Sequence, residues 1–366
     1  MNSKLMNSTK PLFPIMLLLI GYTTIAFYLG GFLQYDFLRS DVLGYWQDSL
    51  AWQMPFHPFH VPGYPLIIAM TRGVTLGVFN PVILMMGINL LAFLASAFVV
   101  YKIIQTGGAG DEIATIGVLS FGLWPFAGLT STVVPLADIP ALFFFLTGLY
   151  LLLRSHRLSA ALLLSLSLVT HKAMWIFVGL LIIVDFIYHK EFISKRNLLF
   201  IGILVLPMAT LWIAGSFYHH STTWLFSSNL KVEITSKSSL PLLDGLLGTF
   251  MEGGVKGFAK GILLLSFAAI SVFFLYLSAK LKYAYFHYGI MISLSVLFLF
   301  LLLNQDEIWA AMRFGRLLVI PFAFIANTNM KLRKKLGWSS PIIIIFLFLF
   351  LTQFAYAWYI ARVYFG

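Results

Sequence analysis

The side chains with chemistry to offer are few and stand in short groups. The first group reads Ser40-Asp41-Val42-Leu43-Gly44-Tyr45-Trp46-Gln47-Asp48-Ser49-Leu50-Ala51-Trp52, followed by His57-Pro58-Phe59-His60-Val61-Pro62-Gly63-Tyr64-Pro65. A helix over residues 41–54 puts Asp41, Tyr45, Asp48 and Trp52 on one face. A carboxylate at position 41 has two readings. It takes a proton from a hydroxyl within hydrogen-bond reach, as a general base, or its oxygen caps the helix that it opens. Spacing alone favours the cap. Further along come Asp138 in Pro135-Leu136-Ala137-Asp138-Ile139-Pro140-Ala141, the triplet Thr170-His171-Lys172, and Arg313 with Arg316. Arginines three apart share one helical face, and their planar forks match carboxylate and phosphate. The alternatives for them are an ion pair with Asp306 or Glu307, or snorkelling toward lipid phosphates.

Other groups carry less. Gly107-Gly108-Ala109-Gly110 before Asp111 and Glu112 lacks the strand that a phosphate-binding turn follows, and reads as a flexible loop. Asp185, beside Tyr188, His189 and Lys190, reads as a local pair. His219 and His220 open a long polar stretch, and nothing in their spacing fixes a role.

The elements that must position these groups are membrane helices. Of 366 residues, 60% are hydrophobic and only 10% charged, with mean hydropathy +0.92. Soluble domains carry about 25% charged residues, because a folded surface must be wetted. The apolar residues run continuously in stretches such as 198–214, 261–278 and 341–359. These lengths suit a hydrocarbon core of about 30 Å, and their lack of alternation excludes a β-barrel. The net charge of +11 lies mostly in short clusters between apolar runs, where it orients helices rather than binding nucleic acid. Cysteine is absent, so no disulfide or thiolate chemistry enters. Lys4 and Lys10 precede a long apolar stretch from Leu12 with no small-x-small cleavage site after it, which reads as a retained first helix.

With the N-terminus cytoplasmic, one frame puts six basic clusters on the same side. It has about eleven crossings, with a range of nine to thirteen, in a single all-α transmembrane domain over residues 1–366. Helices lie at about 12–32, 81–101, 113–131, 138–153, 158–170 and 173–188; a seventh exits near Phe217, an eighth lies at about 260–279, a ninth exits near Leu303, a tenth returns after Arg316 with Lys331 marking the inside, and the last lies at about 340–361. Residues 62–79, broken by Pro62, Pro65, Arg72 and Gly73, read as a partly inserted or short hairpin-like segment returning to the outer face. The first outer loop covers about 33–61, with an interfacial helix rich in aromatics, and the large outer loop about 218–259. Nine of the thirteen acids fall outside: Asp36, Asp41, Asp48, Asp138, Glu233, Asp244, Glu252, Asp306 and Glu307.

The first helix, then Ser-Asp-x-x-x-Tyr and His-x-Pro-Gly-Tyr-Pro, resembles the start of a GT-C integral membrane glycosyltransferase. The likeness is to the group of aminoarabinose transferases and protein O-mannosyltransferases. It continues through Trp124-Pro125, the Asp138 stretch, Thr170-His171-Lys172, and Arg313 and Arg316 before Pro321. The first 190 residues carry most of it, and residues 215–260 carry none. The resemblance implies transfer of a sugar from a polyprenyl-phosphate donor to a glycan, lipid or protein acceptor. It implies a multi-pass protein of a bacterial plasma membrane, with its site on the outer face and membrane lipids around it. Asp41 then matches the general base, and Asp138 its partner, orienting the acceptor or helping Asp41 to hold Mg²⁺ or Mn²⁺. Lys172, Arg313 and Arg316 match the cations for the lipid phosphate, with Tyr45 and His60 lining the substrate site. For His57 and His60, interfacial hydrogen bonding beside prolines is the competing role.

Two other functions fit a many-helix protein with outer arginines. A lipid-linked polysaccharide polymerase or ligase is disfavoured by the first-loop motif. A transporter or flippase for lipid-linked sugars calls for a repeated half and charges near mid-membrane; the sequence has no internal repeat, and its charges gather at one edge.

Overall fold

The computed structural model describes residues 12–29, 41–50, 61–124, 135–189, 194–222, 248, 254–281, 285–302 and 313–328. Within them the chain is helical, with no strand. The α-helices are α1 (Leu12–Leu29), α2 (Asp41–Leu50), α3 (Gly63–Val74), α4 (Pro81–Thr106), α5 (Asp111–Gly122), α6 (Asp138–Leu153), α7 (Arg157–Thr170), α8 (Met174–His189), α9 (Lys195–His219), α10 (Gly254–Leu281), α11 (Phe286–Leu302) and α12 (Val319–Thr328). A 3-10 helix, Gly315–Leu318, leads into α12. His57, His60, the acids at 306 and 307, and the helix expected at 340–361 lie outside the described residues.

Three helical stretches are long and apolar enough to cross a membrane: Ile83–Thr106, Lys195–His219 and Leu264–Leu281. Shorter apolar stretches include α6, α7 and α8. Leu198, Leu206, Ile213 and Phe217 on α9, and Phe273 and Tyr276 on α10, stand exposed. A contiguous apolar surface of this kind needs a non-aqueous neighbour. Inside these helices the hydroxyls find their own acceptors. Thr23, Ser96, Thr147, Ser271 and Ser295 each donate to the carbonyl four residues back, at 2.7–3.0 Å. That is what an apolar solvent requires of every polar group.

The helices begin and end where their residues dictate. Asp138 sits in the first turn of α6, where a carboxylate meets the positive end of the helix dipole. Pro140 follows in the same turn, where its missing N–H costs nothing. Ser194 caps α9 by accepting from the Asn197 N–H at 3.2 Å, and His220 closes it with a left-handed φ of 50°. Residues 62–79 are one helix, α3, followed by a turn at Leu76 and Gly77 (φ 51° and 69°), and not a hairpin. Gly107–Gly110 is a turn, as its composition indicates, and Asp111 beyond it accepts from Tyr101 at 3.1 Å and Gln105 at 2.7 Å.

The main core cluster runs from Leu12 to Ile325, and a second, smaller cluster gathers Val42, Tyr45, Tyr64, Ile68, Leu84, Met85 and Ala137. Helices α6 and α7 form its most extensive pair, joined by the turn Arg154–His156, and α4 packs on α6 and α9 on α7. Gly148 is what allows α6 and α7 so close: a Cβ there would lie 2.7 Å from Leu164 Cγ and 3.3 Å from the Ala160 carbonyl. Small residues at helix contacts are how membrane bundles gain packing contacts. Helix α11 packs on α8, α10 and α12, while α2 rests on α3.

Candidate functional site

Asp138 is the centre of the site. Its side chain is 2% exposed, yet it opens a helix whose apolar body follows directly. A buried carboxylate needs partners on both oxygens. Oδ1 lies 2.9 Å from His171 Nε2, and Oδ2 lies 2.9 Å from Arg313 Nη1. These partners come from far along the chain: His171 from the break between α7 and α8, Arg313 from the segment ahead of the 3-10 helix.

His171 leaves α7 in extended geometry (φ −151°, ψ 133°). Its Nδ1 accepts the backbone N–H of Ala173 at 3.1 Å. A ring nitrogen that accepts carries no proton, so the proton sits on Nε2 and points at Asp138. Both nitrogens are therefore engaged, which makes His171 a strut for Asp138 and not a base. Its ring packs on Phe314 at 5.3 Å, and Phe314 on Phe177 at 5.8 Å. This aromatic wedge sits between Arg313 and Gly315 and fixes where Arg313 leaves the backbone. At Gly315 a Cβ would come within 3.3 Å of the Trp124 ring.

Arg316 is fully buried. Its Nε donates to the Arg313 carbonyl at 2.9 Å, and its guanidinium stands 5.4 Å from the Phe121 ring centre. The short 3-10 segment brings this about, since residues three apart eclipse in that geometry. Arg316 also interacts electrostatically with Asp138. Arg313 pairs with Asp138; Asp306 and Glu307, which the sequence offered as partners for these arginines, lie outside the described residues. Among the described residues two guanidinium groups stand against one carboxylate, so positive charge is in excess. Arg313 is 24% exposed, and its Nε makes no hydrogen bond among the described residues. The arrangement thus holds a cation with donors to spare at one end of the helix bundle.

The first-loop motif supports this cluster from below. Tyr64 Oη donates to Asn89 Oδ1 at 2.9 Å and faces the Pro135 carbonyl at 3.3 Å. Asn89 Nδ2 donates to the Leu136 carbonyl at 2.9 Å. The turn that delivers Asp138 is therefore held by a tyrosine from α3 and an asparagine from α4. Tyr45 on α2 packs edge-on against Tyr64 at 5.1 Å. Gly63 abuts the Val169 carbonyl and Thr170 Oγ1, immediately before His171. Lys172 is half-buried in the next turn, its carbonyl accepting the Trp175 N–H at 3.0 Å.

Of the residues expected at the site, the structure brings Asp138, Arg313 and Arg316 together, with His171 between the helices. Tyr45 joins them through Tyr64. Asp41 opens α2 at this same end, though its side chain lies outside the described residues, as does His60. Tyr64 was quoted from sequence only as part of the His-x-Pro-Gly-Tyr-Pro motif, and Asn89 not at all; an asparagine inside a long apolar run is the signal that marks it. Asp138 Oδ1 is taken by His171, and Oδ2, which makes no hydrogen bond among the described residues, lies 2.9 Å from the Arg313 cation, whose charge opposes a Mg²⁺ or Mn²⁺ ion there. Groups of three or more His, Cys, Asp or Glu are absent among the described residues.

Asp185 is buried, and partners from distant positions reach it: Arg157 Nη2 at 2.7 Å, and Tyr288 Oη, which donates to it at 3.1 Å. This second cluster lies at the other end of α7 and α8. Comparison with family models, with curated proteins and with solved structures gives no match to this chain.

Proposed function

We propose that the chain is a polytopic membrane glycosyltransferase of GT-C type, moving a sugar from a polyprenyl-phosphate donor to an acceptor at the non-cytoplasmic face. One observation supports the reading most. Four separated motifs, around Tyr64, Asp138, His171 and Arg313, converge on a single buried cluster with surplus positive charge. A lipid phosphate leaving group develops negative charge that such cations stabilise.

In this reaction the acceptor oxygen bonds to the anomeric carbon as the carbon–oxygen bond to phosphate breaks. The electron pair leaves on the phosphate, toward Arg313 and Arg316, with Lys172 in the adjoining turn. The acceptor proton passes to the Asp41 carboxylate. Asp138 is a positioning residue that aims Arg313. The donor reaches the site laterally, through the bilayer that surrounds α9 and α10.

The test is release of polyprenyl phosphate by purified full-length protein from a panel of polyprenyl-phosphate sugars. Asp41→Asn is expected to lower the rate by about 10²-fold to 10⁴-fold, while Asp48→Asn, on the same helix, keeps most of it. Full transfer by Asp41→Asn removes Asp41 as base. If no donor is consumed, the transferase reading fails and the lipid-linked-sugar transporter takes its place.

A further inference from the structure

We infer that the end of the bundle away from Asp138 carries a binding site for a phosphate ester, of the kind borne by an anionic lipid headgroup. The site stands apart from sugar transfer and does not depend on it.

Two cavities, of about 540 and 500 Å³, share Ser155, Arg157 and Arg196 in their walls. The first turns of α7 and α9 meet there. Neither first turn holds an acid; instead they carry Arg157, Lys195 and Arg196. Cations at a helix N-terminus share the sign of its dipole, and an anion between them relieves that repulsion. Asp185 is the one acid among the described residues lining the two cavities. It is already matched by Arg157 at 2.7 Å and Tyr288 at 3.1 Å. The charges of Lys195 and Arg196 are therefore surplus within the walls.

The guanidinium groups are held in place before any ligand arrives. Arg196 Nη2 donates to the Ser155 carbonyl at 3.1 Å. Arg157 is pinned by Asp185 and lies 5.2 Å from the Phe200 ring centre, and its buried Nε makes no hydrogen bond among the described residues. Prepositioned forks of this kind suit the oxygens of a phosphate. The rim selects the source. Leu158 and Leu199 line the first cavity and are 44% and 51% exposed, continuous with the apolar outer face of α9. A cationic floor beside an apolar rim has the polarity of an amphiphile, and basic pockets between membrane helices hold anionic headgroups in this way.

The experiment uses the full-length protein in nanodiscs of phosphatidylcholine, with phosphatidylglycerol titrated in. Native mass spectrometry counts retained lipid, and the thermal midpoint is read in parallel. Phosphatidylglycerol is expected to be retained over phosphatidylcholine and to raise the midpoint. The double variant Lys195→Gln, Arg196→Gln alters two exposed side chains and leaves the buried Asp185 pair intact. It should need about tenfold more phosphatidylglycerol for half saturation, the worth of one charge-assisted hydrogen bond. Lys280→Gln, another exposed cation, should bind as the unmodified protein does. A second arm adds inorganic phosphate to phosphatidylcholine discs. Stabilisation by phosphate alone, lost in the double variant, assigns the same site to a soluble phosphate ester. The inference is overturned if neither form of phosphate binds, if the double variant binds as tightly as the parent, or if Lys280→Gln weakens binding equally.

Discussion

The two ends of the α6–α7 pair solve one electrostatic problem in different ways. At each end a carboxylate that is 2–3% exposed meets an arginine, Asp138 with Arg313 and Asp185 with Arg157. The ends are separated by the length of α6, about 24 Å for its 16 residues. At the Asp138 end the second arginine, Arg316, is itself buried, so the excess positive charge is inside the cluster. At the Asp185 end the second partner is a neutral tyrosine hydroxyl, so the pair is balanced and the excess cations stand exposed around it. A balanced pair is a lock. A buried surplus is costly unless an anion visits it, which is why the proposed transfer is assigned to the first end.

The largest expected effect tests that difference directly. Asp138→Ala leaves the buried Arg316 and the part-exposed Arg313 without their carboxylate, and Asp185→Ala does the same to the part-buried Arg157. Each is expected to cost about 3–5 kcal/mol, read as a lowered thermal midpoint in detergent. The ends part in their kinetics: protein that survives Asp185→Ala should keep its kcat, whereas Asp138→Ala should lose transfer. Equal loss of kcat at both ends would break the comparison. Gly63→Ala comes next. Its new methyl meets the Val169 carbonyl, a backbone atom that cannot swing away, so a cost of about 3 kcal/mol is expected. It shifts the turn that carries His171, so transfer should fall together with stability.

Much of this arrangement was legible in the sequence, and what was not has physical reasons. Helix α6 was read at both ends, because an apolar run is bounded by Asp138 with Pro140 and by Arg154. Pro65 and Arg72 were read as breaks in 62–79, yet Pro65 stands in the first turn of α3 and Arg72 in its last, where neither is unfavourable. The site motifs were visible as residue types in order, since each is local. Their pairing was not: Asp138 meets an arginine from beyond α11, and Asp185 meets Tyr288 across 103 positions. Local spacing rules extend only a few residues. Buried acids in apolar helices did announce that a partner must exist.

Arg313→Lys probes what kind of cation the first end needs. A lysine keeps the charge beside Asp138 but loses the planar fork. If Arg313 holds Asp138 and the donor phosphate at once, about tenfold to 10²-fold of transfer should go while the fold is kept, because one charge-assisted hydrogen bond is worth about 1.5–3 kcal/mol. The same change at Arg157 should leave transfer intact and lower only the thermal midpoint. Unchanged transfer in Arg313→Lys reduces Arg313 to a counter-ion for Asp138.

The smallest change with a defined outcome removes one oxygen from each end. Tyr288→Phe takes a donor from Asp185, a charged acceptor, and Tyr64→Phe takes one from Asn89 and the Pro135 carbonyl, both neutral. Hydrogen bonds to charged groups are worth more, so Tyr288→Phe should cost about 1.5–3 kcal/mol and Tyr64→Phe about 1 kcal/mol. Activity should rank the other way. Tyr64 holds the turn that delivers Asp138, so its loss loosens the aim of Arg313 and lowers kcat several-fold with KM for the donor little moved. The Tyr288 hydroxyl donates to Asp185 of the balanced pair, and its loss should leave kcat where it was. A kcat that follows stability in both variants would mean that the two ends differ in charge alone, and that Tyr64 is a core residue without a positioning role.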